Sequence, residues 1–123
     1  MAGHFEILDI LSAMKLEDFP VGFTDWSQIS ASVHPGASGT ATIRSHQLGD
    51  IQTRLVVYSP HYVADHWCHK GHIVFVVAGQ LLIEQQNDVT YTLMPGMSYH
   101  VADDHGPAHR VLSEMGATIF IVD

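Results

Sequence analysis

From residue 40 onward the chain is cut into short segments by closely spaced turn signals, and this punctuation limits its fold more than any other feature. The segments are residues 40–46, 51–58, 73–78, 81–86, 89–93, 98–101, 110–113 and 117–122. Between them lie Leu48-Gly49-Asp50, Pro60, Ala78-Gly79-Gln80, Asn87-Asp88, Met94-Pro95-Gly96 and Glu114-Met115-Gly116. Gly, Pro, Asn and Asp at such points favour tight turns and break helices. The first two segments alternate with the period of a strand. In residues 40–46, Ala41, Ile43 and Ser45 oppose Thr42, Arg44 and His46. In residues 51–58, Ile51, Thr53, Leu55 and Val57 oppose Gln52, Arg54, Val56 and Tyr58. Residues 73–78 are apolar on both faces, which predicts a strand buried on both sides. One side would fill an interior, and the other would meet a second sheet or another subunit. Short strands at regular spacing predict an all-β sandwich or barrel.

A chain of 123 residues with 46% apolar composition can bury one ordinary core. Its formal charge is -8, and its five basic residues, Lys15, Arg44, Arg54, Lys70 and Arg110, are scattered. They form no stripe to neutralise phosphates, which argues against nucleic-acid partners and anionic membrane surfaces. No apolar run approaches the ~20 residues of a membrane helix. The single cysteine rules out an intrachain disulfide framework. The N-terminus lacks a basic region followed by an apolar core, so a cytoplasmic location is expected. There is no Gly-rich phosphate loop, strand-helix alternation, long repeat or helix-turn-helix module.

Upstream of the strands, Ile7, Ile10, Leu11 and Met14 recur at helical spacing, predicting an amphipathic helix over 4–17 that Pro20 ends. Residues 1–22 read as an N-terminal extension and 23–123 as the β-domain. Residues 23–38 read mostly as loop, with Trp26 anchoring it to the sheet wall and His34 in solvent.

The chemistry concentrates in Asp65-His66-Trp67-Cys68-His69-Lys70-Gly71-His72. Histidine is the commonest metal ligand, and the chain has ten. If residues 66–68 are extended, His66 and Cys68 share a face. Gly71 then allows a bend, and His72 opens the next strand into the same cavity. A further ligand must come from a distant strand, for which His109 is the best placed. His69 would point away, and His105 lies on a loop able to swing inward. Arg44, His46, Arg54, Tyr58 and Tyr99 are candidates for a cavity mouth, although surface pairing with acidic residues is the favoured reading of both arginines.

These residues carry a resemblance. Counting back from Gly79, His66 and Cys68 fall on the two histidine positions of the first cupin motif, and His72 on its glutamate position. Gly96 opens and Gly106-Pro107-Ala108-His109 closes a stretch similar to the second motif, with two extra residues between. The similarity runs from Gly39 to Val122. Asp65-His66-Trp67-Cys68 with Gly71-His72 resembles small single-domain cupins with an Asp-His-x-Cys signature. The resemblance implies a double-stranded β-helix, or jelly-roll barrel, with a divalent transition metal on His66, Cys68, His72 and His109. It also implies a homodimer, which the two-sided apolar strand supports. Cysteine and histidine in place of histidine and glutamate shift metal preference from manganese toward zinc, iron, nickel or copper.

Three functions fit this reading: a metal-dependent enzyme of oxygenase or isomerase type acting on a small organic molecule, a non-catalytic binding barrel, or a metal-stabilised structural barrel. The enzyme stands first. Tyr58, Tyr99 and His105 are the candidate acids or bases, and nothing in the sequence selects among them.

Overall fold

The computed structural model of the chain describes residues 16–123. The helix expected over 4–17 lies outside them except for Leu16 and Glu17, which are in no regular element. The described chain is all-β, with ten strands. They are β1 (Ser32–Pro35), β2 (Thr40–Leu48), β3 (Ile51–Tyr58), β4 (Tyr62–Val63), β5 (His72–Gly79), β6 (Leu81–Gln85), β7 (Thr90–Leu93), β8 (Ser98–Val101), β9 (His109–Ser113) and β10 (Ala117–Val122). One 3-10 turn, Trp26–Gln28, precedes them, with Asp25 accepting from the Ser27 backbone N–H. No helix among the described residues is long and apolar enough to cross a membrane.

Two antiparallel sheets form, ordered β1-β2-β3-β10-β5-β8 and β4-β9-β6-β7. Between them lies a core to which both contribute, including Val56, Val76, Ile119, Leu81 and Ile83. These five are almost fully buried, and each such side chain contributes about 1.5–3 kcal/mol relative to exposure. Alternation sorts the faces as the sequence predicts: Ile43, Arg54, Val56, Tyr58, Ile119 and Ile121 face a shared cavity.

The hairpin ends depend on backbone that other residues adopt poorly. Gly79 has φ 79°, and a Cβ there would stand 2.1 Å from the Gly116 carbonyl oxygen. Only glycine relieves both constraints at the crossing of the β5–β6 and β9–β10 turns.

The structure departs from the sequence reading in three details. Residues 23–38 are mostly loop as expected, but Ser32–Pro35 within them forms a strand that pairs with β2 in the register Val33↔Thr42. Its burial pattern is exposed throughout, so no apolar alternation announced it. The short β4, paired with β9 through Tyr62↔Ser113, was likewise not foreseen. In β5, Val74 and Val76 are buried, but Ile73, Phe75 and Val77 are 57%, 43% and 50% exposed. The second sheet covers the inner face only, so the outer face is open in the single chain. Trp26 does pack on that outer wall, edge-on to Phe120 with ring centroids 6.1 Å apart.

Candidate metal centre

Cys68 and His72, neighbours in one stretch of sequence, converge with His109 from a distant strand. Cys68 and His109 form an isolated antiparallel bridge. Its two hydrogen bonds run from the Cys68 N–H to the His109 carbonyl at 2.7 Å and from the His109 N–H to the Cys68 carbonyl at 3.0 Å. The backbone therefore holds sulfur and imidazole side by side. His72 joins them from the first position of β5. Gly71 allows that approach, since a Cβ there would meet the Asp103 nitrogen at 2.6 Å. The Gly71 N–H also donates to the Asp103 carboxylate at 2.6 Å, tying the bend to the loop after β8.

One donor atom from each of the three residues lies within 4.8 Å of the others. The Cys68 Sγ is 3.4 Å from His72 Nε2, and it accepts from the Lys70 N–H at 3.4 Å. His72 Nδ1 lies 2.8 Å from Asp123 Oδ2. With Nδ1 as the donor, Nε2 keeps its lone pair toward the sulfur, the orientation that a carboxylate imposes on metal-binding histidines. Asp123 Oδ2 also accepts from the Arg54 guanidinium. The Asp123 side chain is only 1% exposed, so this pair is a buried one and not the surface pair expected of Arg54.

His109 is unusual in a different way. It is 4% exposed, and neither ring nitrogen has a hydrogen-bond partner among the described residues. A buried imidazole left so would cost about 1–3 kcal/mol per unsatisfied group. Burial pushes the pKa of His109 down, and His72 and His69 add to the effect. The Pro107 carbonyl opposes the shift weakly, without the geometry of a sound hydrogen bond. Burial likewise lowers the pKa of His72, against the opposing pull of Asp123. Both rings are thereby biased to the neutral form that binds metals.

His66 stands apart from these three. Residues 64–71 are not a regular strand, so the shared face expected of His66 and Cys68 does not form. The His66 ring is 77% exposed and pairs with Asp65 at 2.6 Å, a contact that lowers the Asp65 pKa. It lines the rim of the cavity instead.

That cavity measures about 510 Å³ and is bounded by both sheets, with Cys68, His72 and His109 in its wall. Arg54, Tyr58 and Tyr99 also line it, whereas Arg44 and His46 do not. Arg44 faces outward and donates to the Ile29 carbonyl at 3.1 Å, fastening the N-terminal segment. Tyr58 is buried, which raises its pKa well above the ordinary phenol value, with Tyr62 adding to the shift. At neutral pH it is therefore a proton donor, not a base. The Tyr99 hydroxyl donates to Gln85 Oε1 at 2.9 Å and is committed structurally. His105 is exposed on the loop after β8 and does not line the cavity.

Sequence reasoning missed Asp123. Its signal was the period of two: Ile119 and Ile121 point inward, and the next position on that face is an aspartate.

Two packed antiparallel sheets in this order, with the site between them, match known structures closely enough to decide the architecture. A predicted oxalate decarboxylase from Thermotoga maritima superposes with a TM-score of 0.70 at 10% identity, covering 82% of this chain and 96% of that one. The chain has the cupin fold. A sugar phosphate isomerase from a cupin superfamily of Silicibacter pomeroyi gives a TM-score of 0.64 at 17% identity, with 82% and 74% covered. Ectoine synthase from P. lautus gives 0.67 at 15% identity, with 83% and 76% covered. No protein-family model matches the sequence, and no curated protein matches it. Cupin architecture accounts for the two sheets and for a cavity between them; the identity of the residues in that cavity is the chain's own.

Proposed function

We propose that Cys68, His72 and His109 hold one divalent transition-metal ion, zinc, iron, nickel or copper, and that this cupin is a metal-dependent enzyme acting on a small organic molecule. The observation that carries this reading is His109: a buried ring with both nitrogens bare, beside a thiol and a second imidazole whose Nε2 faces that thiol. An ion between the three would take up one of the bare nitrogens. Three protein donors leave coordination positions open, as catalytic sites do. The adjoining cavity gives a small molecule access to them, which disfavours a purely structural ion. An ion bound there supplies Lewis-acid polarisation or an activated water.

The chain's own residues set the conditions. Asp123 orients His72, and Arg54 shares the charge of Asp123. Tyr58 presents a protonated phenol in the cavity wall. Apolar side chains from both sheets, among them Val56, Ile83 and Ile119, line the cavity around them. Similar structures carry isomerase, synthase and decarboxylase names, which select no reaction for this chain, since a fold hosts many chemistries.

A second reading has an observation of its own. Cys68, His72 and Asp123 stand in the order nucleophile, base and orienting carboxylate, at 3.4 and 2.8 Å. It leaves the bare His109 unexplained and so ranks second. Cobalt(II) titration separates the two. The metal reading predicts thiolate-to-cobalt charge-transfer absorption that is lost in Cys68→Ser and accompanied by protection of the thiol from iodoacetamide. Rapid alkylation that cobalt leaves unchanged, with no such absorption, would favour the thiol triad.

A further inference from the structure

The distribution of charge around the cavity differs from that of the molecule. Five basic and thirteen acidic residues make the chain strongly acidic. Yet three of those five, Arg54, Lys70 and Arg110, line this cavity, and Asp65 is the one acidic residue found there among the described residues. The Asp65 carboxylate is already engaged by His66. Two of these three cations are paired, Arg54 with Asp123 and Arg110 with Glu84, so what the site offers an anion depends on which guanidinium donors stay unused.

The three cations are not equivalent. Arg110 gives its Nε to Glu84 at 2.8 Å and stacks its guanidinium over Trp67 at 4.6 Å. Lys70 is exposed at the rim. Arg54 projects from the inner face of β3, with NH2 on Asp123 and with a buried Nε that has no partner. A guanidinium has five N–H donors, and the side-chain hydrogen bonds found for Arg54 among the described residues use only one nitrogen. The buried Nε is shut off from the cavity, beside the equally bare Oδ1 of Asp123; the terminal edge of the guanidinium is the one a carboxylate can meet, and a carboxylate fits it in a bidentate manner. Through Asp123 the same guanidinium is one carboxylate and one imidazole away from the Cys68–His72–His109 cluster. The remaining wall includes Ile43, Val74, Ile83 and Val111, which suit a hydrocarbon body.

We infer that the cavity binds a small organic carboxylate with an apolar body, its carboxylate on the terminal edge of Arg54 and its reacting end toward Cys68, His72 and His109. One guanidinium already shared with Asp123 matches a monoanion better than a phosphate ester, which needs more cationic partners. This substrate class deepens the proposed function and rests on its placing of the substrate beside the three donors.

Calorimetric titration of the zinc-loaded chain with isocaproate, isocaproamide and isoamyl phosphate tests it, with zinc content measured on the same samples. The acid should bind about tenfold or more tightly than its amide, and more tightly than the phosphate. Arg54→Lys, which keeps a cation for Asp123 but removes the planar edge, should abolish most of that preference. An amide that binds as tightly as the acid, a phosphate that binds more tightly, or an acid preference untouched by Arg54→Lys would overturn the inference. If Arg54→Lys does not fold, the comparison of acid with amide on the zinc-free chain decides, because zinc would itself favour the acid. Failure to take up zinc would count against the metal reading separately, because the carboxylate preference can be read on the zinc-free chain as well.

Discussion

Asp123 shows how much a single side chain does here. It accepts from His72 and from Arg54 while almost wholly buried, so it sets the imidazole's tautomer and keeps the cavity's arginine in place. Removing such an outer partner of a metal ligand typically weakens metal affinity about 10–100-fold. Asp123→Asn should therefore lose affinity in that range in competition with a chromogenic chelator, and an unchanged affinity would mean that His72 needs no orientation. Tyr58 is the other residue whose environment has a measurable consequence. Burial holds its pKa above 10.0, so the folded chain keeps a phenol proton that the unfolded chain gives up. The associated stability is complete below pH 10 and falls as pH rises beyond it, because the folded state then binds more protons. The urea midpoint should drop more between about pH 9 and about pH 11 in the unaltered chain than in Tyr58→Phe; equal drops would show that the phenol ionises freely in place.

At the scale of elements, the bend between Cys68 and β5 is the critical connection. Gly71 lies so close to the Ala102–Asp103 backbone that a methyl group would collide with it. Gly71→Ala should cost about 1–3 kcal/mol by urea unfolding, the usual price of overpacking, and should weaken metal binding by displacing His72. A neutral effect on both would show that the bend is slack. Most strands were legible because their inner faces alternate: β3, β8 and β10 match the predicted bounds, and β2 is longer at its end. The convergence of Cys68, His72 and His109 was also readable, from spacing before a buried strand and from a histidine heading a distant one. His66 and Cys68 would share a face only in a regular strand; the chain instead makes a single bridge at Cys68, and of the two only Cys68 joins the cluster. β1 and β4 were hidden for a related reason. One is exposed along its whole length and the other is two residues long, so neither leaves a periodic trace.

For the whole molecule, the outer face of the larger sheet carries uncovered apolar surface. Ile73, Phe75 and Val77 are exposed in a row on β5, with the half-exposed Val57 of β3 across β10 from them. We propose that this face pairs with a second copy, as expected from the apolar character of residues 73–78. Light scattering should give a dimer at micromolar concentration, and Phe75→Glu a monomer with unchanged metal content; a monomeric unaltered chain would contradict the pairing. The central claim concerns the interior, where strands β5 and β9 and the bridge at Cys68 bring three donors together. Elemental analysis of purified protein tests it most directly, comparing the unaltered chain with His109→Ala and His66→Ala. The predicted result is one equivalent of metal in the unaltered chain, retained in His66→Ala and lost in His109→Ala. Metal retained without His109 but lost without His66 would contradict the account.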